Sequence, residues 1–123
     1  MKTIKIILGD LVLDGQLNDS PTAQKVWEAL PLETPFSTWG DEIYFSIPVV
    51  MELENDAQEV VQSGDLAYWP NGHAFCIFFG PTPISEEGEI RPASAVNVIG
   101  SVRRDATRLK GKLAEKPIRV ERG

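Results

Sequence analysis

The chain has 123 residues, 42% of them hydrophobic, enough for one core and one domain. No apolar run in it approaches the roughly 20 residues that a membrane-spanning helix needs. The formal net charge is −6, and the single cysteine excludes an internal disulfide.

In chain order, residues 3–8 (TIKIIL) and 11–17 (LVLDGQL) read as paired strands joined at Gly9-Asp10, a favoured two-residue hairpin turn. Ser20-Pro21 opens a helix: the serine can cap it, and proline at the first position loses no hydrogen bond. Ala23, Val26, Trp27 and Leu30 form its apolar stripe, and Pro31 ends it. Trp27 and Leu30 are therefore expected in the core. Residues 32–39 contain Pro35 and predict an edge strand or an extended loop. Gly40-Asp41 turns the chain into a strand at 42–47 (EIYFSI), stopped by Pro48, with a continuation after a kink at 49–53. Residues 57–62 are compatible with a further short strand.

The stretch 64–83 (GDLAYWPNGHAFCIFFGPTP) holds the only histidine and the only cysteine. Aromatic content predicts strands at 66–69 and 73–79. Between them Trp69-Pro70-Asn71-Gly72 fits a type I turn, with Gly72 free to go left-handed and form a bulge. Alternation places His73, Phe75, Ile77 and Phe79 on one face and Ala74, Cys76 and Phe78 on the other. Both faces are largely apolar, which predicts a central strand covered on both sides. Residues 84–91 form an acidic exposed loop, 95–102 a strand, 103–113 a short helix weakened by Gly111, and 117–120 a final edge strand.

Charge is divided unevenly along the chain. Residues 1–102 carry 4 basic and 15 acidic side chains, a net −11, and residues 103–123 carry 8 and 3, a net +5. The basic segment is expected to pack on the acidic body. An acidic chain with no aromatics among its basic residues is a poor match to a phosphate backbone, which argues against a nucleic-acid partner. With strand-like residues beginning at Thr3 and no secretory leader, the expectation is a soluble, cytoplasmic protein with no membrane partner.

At residues 60–81 the sequence resembles the strand-turn-strand of the cyclophilin fold. Gln62-Ser63-Gly64-Asp65 is similar to its Gln-Gly-Gly-Asp motif, with Ser63 in place of the first glycine. Trp39-Gly40-Asp41-Glu42-Ile43-Tyr44-Phe45 and the G-D-x-x-Y-W-P of residues 64–70 resemble the small prokaryotic cyclophilin-like proteins, over roughly residues 3–121. Together with many short strands and frequent turn signals, this resemblance implies an all-β, closed, cyclophilin-like barrel of about eight strands with one or two short helices. It also raises prolyl isomerisation. In cyclophilins an arginine on the strand before the glutamine motif supports the twisting prolyl amide. The corresponding residues 42–47 contain none, and Tyr44 or Ser46 stands in that region. Arg91 lies on a loop, while Gln62 retains the ability to bond a substrate carbonyl.

The candidate binding residues are Tyr44, Gln62, Trp69, His73 and Phe79, with Pro81 and Pro83 holding one wall of a groove. Tyrosine and tryptophan offer a polar handle in an apolar site. Asp41, Glu42 and Asp65 offer an acid pair, while Asp41 and Asp65, each beside a turn glycine, are alternatively read as holding the backbone. His73 and Cys76 fall on opposite faces, which argues against a nucleophilic pair, and no His/Cys cluster suits zinc. No metal, cofactor or catalytic residue is assigned. The expected function is a binding module for a small molecule or extended peptide. The alternative is an atypical peptidyl-prolyl isomerase.

Overall fold

A computed structural model describes all 123 residues. The first hairpin forms as its sequence implies. β1 (Lys2–Leu8) and β2 (Leu11–Leu17) pair in full antiparallel register from Lys2↔Leu17 to Leu8↔Leu11, with Gly9 left-handed at φ 61°. α1 (Pro21–Ala29) begins at Ser20, whose Oγ accepts from the Ala23 N–H at 3.2 Å. Val26 and Leu30 are buried, whereas Trp27 is only half-buried, with the Arg122 guanidinium 4.6 Å from its ring centroid.

Seven further strands follow: β3 (Leu32–Thr34), β4 (Ser37–Thr38), β5 (Glu42–Ser46), β6 (Asp65–Trp69), β7 (Ala74–Phe78), β8 (Asn97–Val102) and β9 (Ile118–Arg122). The nine make one antiparallel sheet in the order β3-β9-β1-β2-β8-β6-β7-β5-β4. The sheet is curled but open, which corrects the expected closed barrel of about eight strands. Its two edges, β3 and β4, are separated in sequence only by Pro35-Phe36. The chain thus steps from one edge to the other without pairing them, and Pro35 has no N–H to contribute to a closing ladder. β9, expected at an edge, lies inside the sheet between β1 and β3.

Residues 49–53 do not extend β5. Side chains satisfy their backbone instead: Met51 N–H donates to the Tyr68 hydroxyl at 3.3 Å, and that hydroxyl donates to the Val49 carbonyl. Buried Asn97 donates from Nδ2 to the Glu52 carbonyl at 2.9 Å and accepts from Glu54 N–H at 2.8 Å. Residues 57–62 supply only isolated bridges, Gln58↔Val96 and Val61↔Ile90.

β7 is buried along its whole length and pairs with β5 on one side and β6 on the other. Its alternation divides the interior into two cores. Phe75, Ile77 and Phe79 enter the main core of 25 buried residues, which also holds Phe45, Leu66, Tyr68 and Ile99. Ala74, Cys76 and Phe78 enter a separate cluster with Val61, Ala67 and Val96 on the opposite, outer face. The basic segment docks as expected. Ala106 and Leu109, in a 3-10 segment spanning Ala106–Lys112, are buried in the main core, and Lys112 and Lys110 bridge Asp10 and Asp41.

Candidate functional site

The outer face of β5 and β6 carries the candidate site. On β5, residues two apart share a face, so Glu42 and Tyr44 point outward while Ile43 and Phe45 fill the main core. Across the ladder they stand opposite Phe78 and Cys76 on β7. Trp69 ends β6 on the same face, opposite Ala74. Ala67, Ala74 and Cys76 are small, so the sheet floor between the larger rings is low. Over it comes the return of the loop that follows β7. Pro92, Ala93 and Val96, together with Trp39, Glu42, Tyr44 and Trp69, line a cavity of about 290 Å³.

Local bonds hold each wall. The Trp69 indole Nε1 donates to Ser94 Oγ at 2.7 Å, tying the ring to the roof. A Cβ on Gly72 would lie 2.9 Å from the Trp69 ring carbons, so the glycine leaves the space in which that ring lies. Val96 exchanges two backbone bonds with Gln58, at 2.8 and 2.9 Å. The loop between β7 and the roof is closed on itself, since Ser85 Oγ accepts from both Thr82 and Arg91 N–H at 2.9 Å. The Trp39 N–H donates to the Glu42 carbonyl at 3.0 Å across the Gly40 turn. Gly40, at φ 60°, packs so closely on residues 81–83 that a Cβ would meet the Pro81 carbonyl at 2.8 Å. Pro81 and Pro83 therefore buttress that turn and are not cavity walls; the proline in the wall is Pro92.

Glu42 is the one charged residue among those lining the cavity. It is 7% exposed, and the ion pairs near it bypass it: Lys110 sits 3.5 Å from Asp41. Burial pushes its carboxyl up to about 7, and the neighbouring Cys76 thiol offsets only part of this. Burial, and then Glu42 itself, push the Cys76 thiol well above its ordinary range, so it stays protonated and is no nucleophile. Asp65 is also raised by burial, but its Oδ2 accepts from Gln62 N–H at 2.9 Å and holds the turn before β6. Asp41, Glu42 and Asp65 thus have separate surroundings.

Of the five binding candidates from the sequence, the cavity brings together Tyr44 and Trp69. Tyr44 also borders a second, shallower hollow of about 190 Å³ with Pro35, Phe36, Ser37, Phe45 and Ser46. Gln62 is exposed, and its backbone is engaged in the Asp65 turn. Phe79 is 1% exposed and packs into the main core, on the opposite face from the cavity. His73 is exposed and does not start β7. It terminates the 3-10 turn Pro70–Gly72 in a left-handed conformation, φ 47° and ψ 43°, so His73 and not Gly72 takes the left-handed position. Trp39 and the roof residues were not among the sequence candidates, and Glu42 was named only as a member of an acid pair, not as a binding residue. The one legible signal was an acid on an otherwise apolar strand, two residues from Tyr44. No group of three or more His, Cys, Asp or Glu is placed to hold a metal ion.

An open, curled antiparallel sheet with an aromatic-walled cavity on its outer face defines the class of protein. The Cyclophilin-like family description matches residues 2–121, and the chain belongs to that family. The hypothetical protein AF2241 from Archaeoglobus fulgidus is similar in sequence and structure. It has 40% identity and a TM-score of 0.81, over 99% of this chain and 95% of that one. McbB, whose structure is described in complex with tryptophan, is similar at 16% identity and a TM-score of 0.73, over 97% of this chain and 44% of McbB. At that identity the likeness is one of fold. No curated protein matches the sequence.

Proposed function

We propose that this cyclophilin-like domain is a small-molecule binding module whose site is the outer-face cavity. The observation that carries this reading is the meeting of Trp39, Tyr44 and Trp69 around a hollow of about 290 Å³ with a single buried carboxyl, Glu42. Ligand sites are concave and mostly apolar, with few polar groups that fix orientation. That volume suits one or two fused rings better than an extended peptide. A protein that shares this fold over part of its chain is described in complex with tryptophan, a molecule of that size.

Family membership raises prolyl isomerisation as the competing activity. β5 carries no arginine. Arg91 is engaged by Glu89, with its Nε 2.7 Å from Oε2. Gln62 lies outside the cavity lining. Lacking a preorganised donor of this kind costs about 10²–10³ in rate in comparable sites, so the proposal includes isomerisation near the uncatalysed rate. The test is a melting-temperature screen with small aromatic compounds, run beside exchange spectroscopy on X-Pro peptides. Ligand-dependent stabilisation that is lost in Trp69→Ala, without accelerated exchange, supports the reading. Acceleration comparable to a true cyclophilin, abolished by Gln62→Ala, would replace it with the isomerase.

A further inference from the structure

The cavity lining is one-sided in charge. Its three aromatic faces are electron-rich, and such faces attract cations. Its only charged lining group is an acid, and no lysine, arginine or histidine lines it. A neutral or anionic ligand would leave that buried carboxylate without a countercharge, which is costly. From this arrangement, and resting on the binding reading above, we infer that the ligand is a flat ring bearing an ammonium group. The cation sits on the Glu42 carboxylate among Trp39, Tyr44 and Trp69, and it is taken up with release of the Glu42 proton.

The groups that face Glu42 leave this role to it alone. On β7, Cys76 stays protonated because it is buried. On β5, Tyr44 contributes a phenol. In the preceding turn, Asp41 lies against Gly80 and pairs with Lys110 at 3.5 Å. On β6, Asp65 shares the outer face with Trp69 but accepts from the Gln62 N–H. The roof residues Pro92, Ala93 and Val96 carry no charge. Because burial pushes the Glu42 carboxyl up to about 7, the empty cavity holds a neutral acid below that pH and a carboxylate above it. Binding an ammonium below pH 7 therefore sends one proton to the buffer and forms one ion pair.

Calorimetry on the intact protein tests this with tryptamine and its neutral counterpart 3-ethylindole, at pH 6 and pH 8, in two buffers of different protonation heat. Tryptamine is expected to bind about tenfold more tightly at pH 8 than at pH 6, because the ionised fraction of a group near 7 changes by that factor. It should release close to one proton at pH 6. 3-Ethylindole should bind more weakly and release none. Glu42→Gln should abolish both the pH dependence and the proton release for tryptamine. Equal affinity for both probes, or pH-independent tryptamine binding without proton release, would overturn the inference and leave the cavity a binding site. Failure of both probes to bind at millimolar concentration would overturn the inference and the binding reading together. The proton count is made on the unaltered protein, so an unstable variant does not decide it.

Discussion

The two faces of β7 are built from one alternating pattern and do different work. The inner face presents Phe75, Ile77 and Phe79, interdigitated with Phe45, Leu66 and Tyr68, and it is filled. Phe75 stacks on Phe45 with ring centroids 5.2 Å apart and planes 14° from parallel. The outer face presents Ala74, Cys76 and Phe78 beside Ala67; Phe78 is buried, but the small residues keep the floor beside Tyr44 and Trp69 low, so packing there stops short of closure. A sheet whose side chains are mostly large on one side and small in the middle of the other is stabilised by the first side. It is left with a hollow on the second. The same contrast separates a core whose one buried phenol, Tyr68, is fully hydrogen-bonded from a cavity that keeps a carboxyl without a countercharge.

The largest effect that would sharpen this comparison is on the inner face. Phe75→Ala should cost about 3–5 kcal/mol in denaturant unfolding, as fully buried aromatics do. A loss below about 1 kcal/mol would mean that the inner face is not the main source of stability.

Next comes the pH dependence of the outer face. A carboxyl with a pKa of 4.5 when exposed and about 7 in the fold favours folding least when ionised. The native state should therefore be most stable below pH 4.5 as far as this group is concerned. It should lose stability as pH rises from 4.5 to 7 and show the full penalty above 7. At about 1.4 kcal/mol per unit the penalty is at most about 3.5 kcal/mol, lessened by water at the cavity mouth. Glu42→Gln should flatten that window in thermal melts from pH 4.5 to 8. An unchanged slope in the variant would assign the effect elsewhere.

Smaller again is Gly72→Ala, whose new Cβ would crowd the Trp69 ring at 2.9 Å. The expected loss is about 1 kcal/mol of stability, with a measurable change in tryptophan fluorescence. The smallest is Ser94→Ala, which removes the bond from Trp69 Nε1. It should cost about 0.5–1.5 kcal/mol and loosen the roof, read as faster amide exchange at residues 93–96.

Which parts of this architecture the sequence disclosed follows from how local their causes are. The Gly9-Asp10 hairpin, the Ser20 cap and the two faces of β7 depend on neighbours a few residues apart, and each was legible. The open sheet was not, because nothing in residues 32–39 says that Leu32–Thr34 pairs with β9 and Ser37–Thr38 with β5. Residues 49–53 look like a strand until Tyr68 and Asn97, distant in sequence, take up their backbone groups. At the site, Tyr44 and Trp69 were visible as aromatics on strands. Glu42 was visible as one member of an acid pair and not as a lone cavity carboxyl, because its burial depends on a roof that arrives some 50 residues later, at Pro92–Val96. His73 was misplaced because glycine is the usual left-handed residue in such turns, and here the turn ends one residue later.

The central claim, that the outer face of β5 and β6 is where this protein binds, is tested most directly by amide chemical-shift mapping with tryptamine at pH 8. The account predicts shifts concentrated at residues 39–44, 69 and 93–96, with Gln62, Phe79 and strands β1 and β2 unmoved. Shifts centred instead on Gln62 and His73, or spread without focus over the surface, would contradict it.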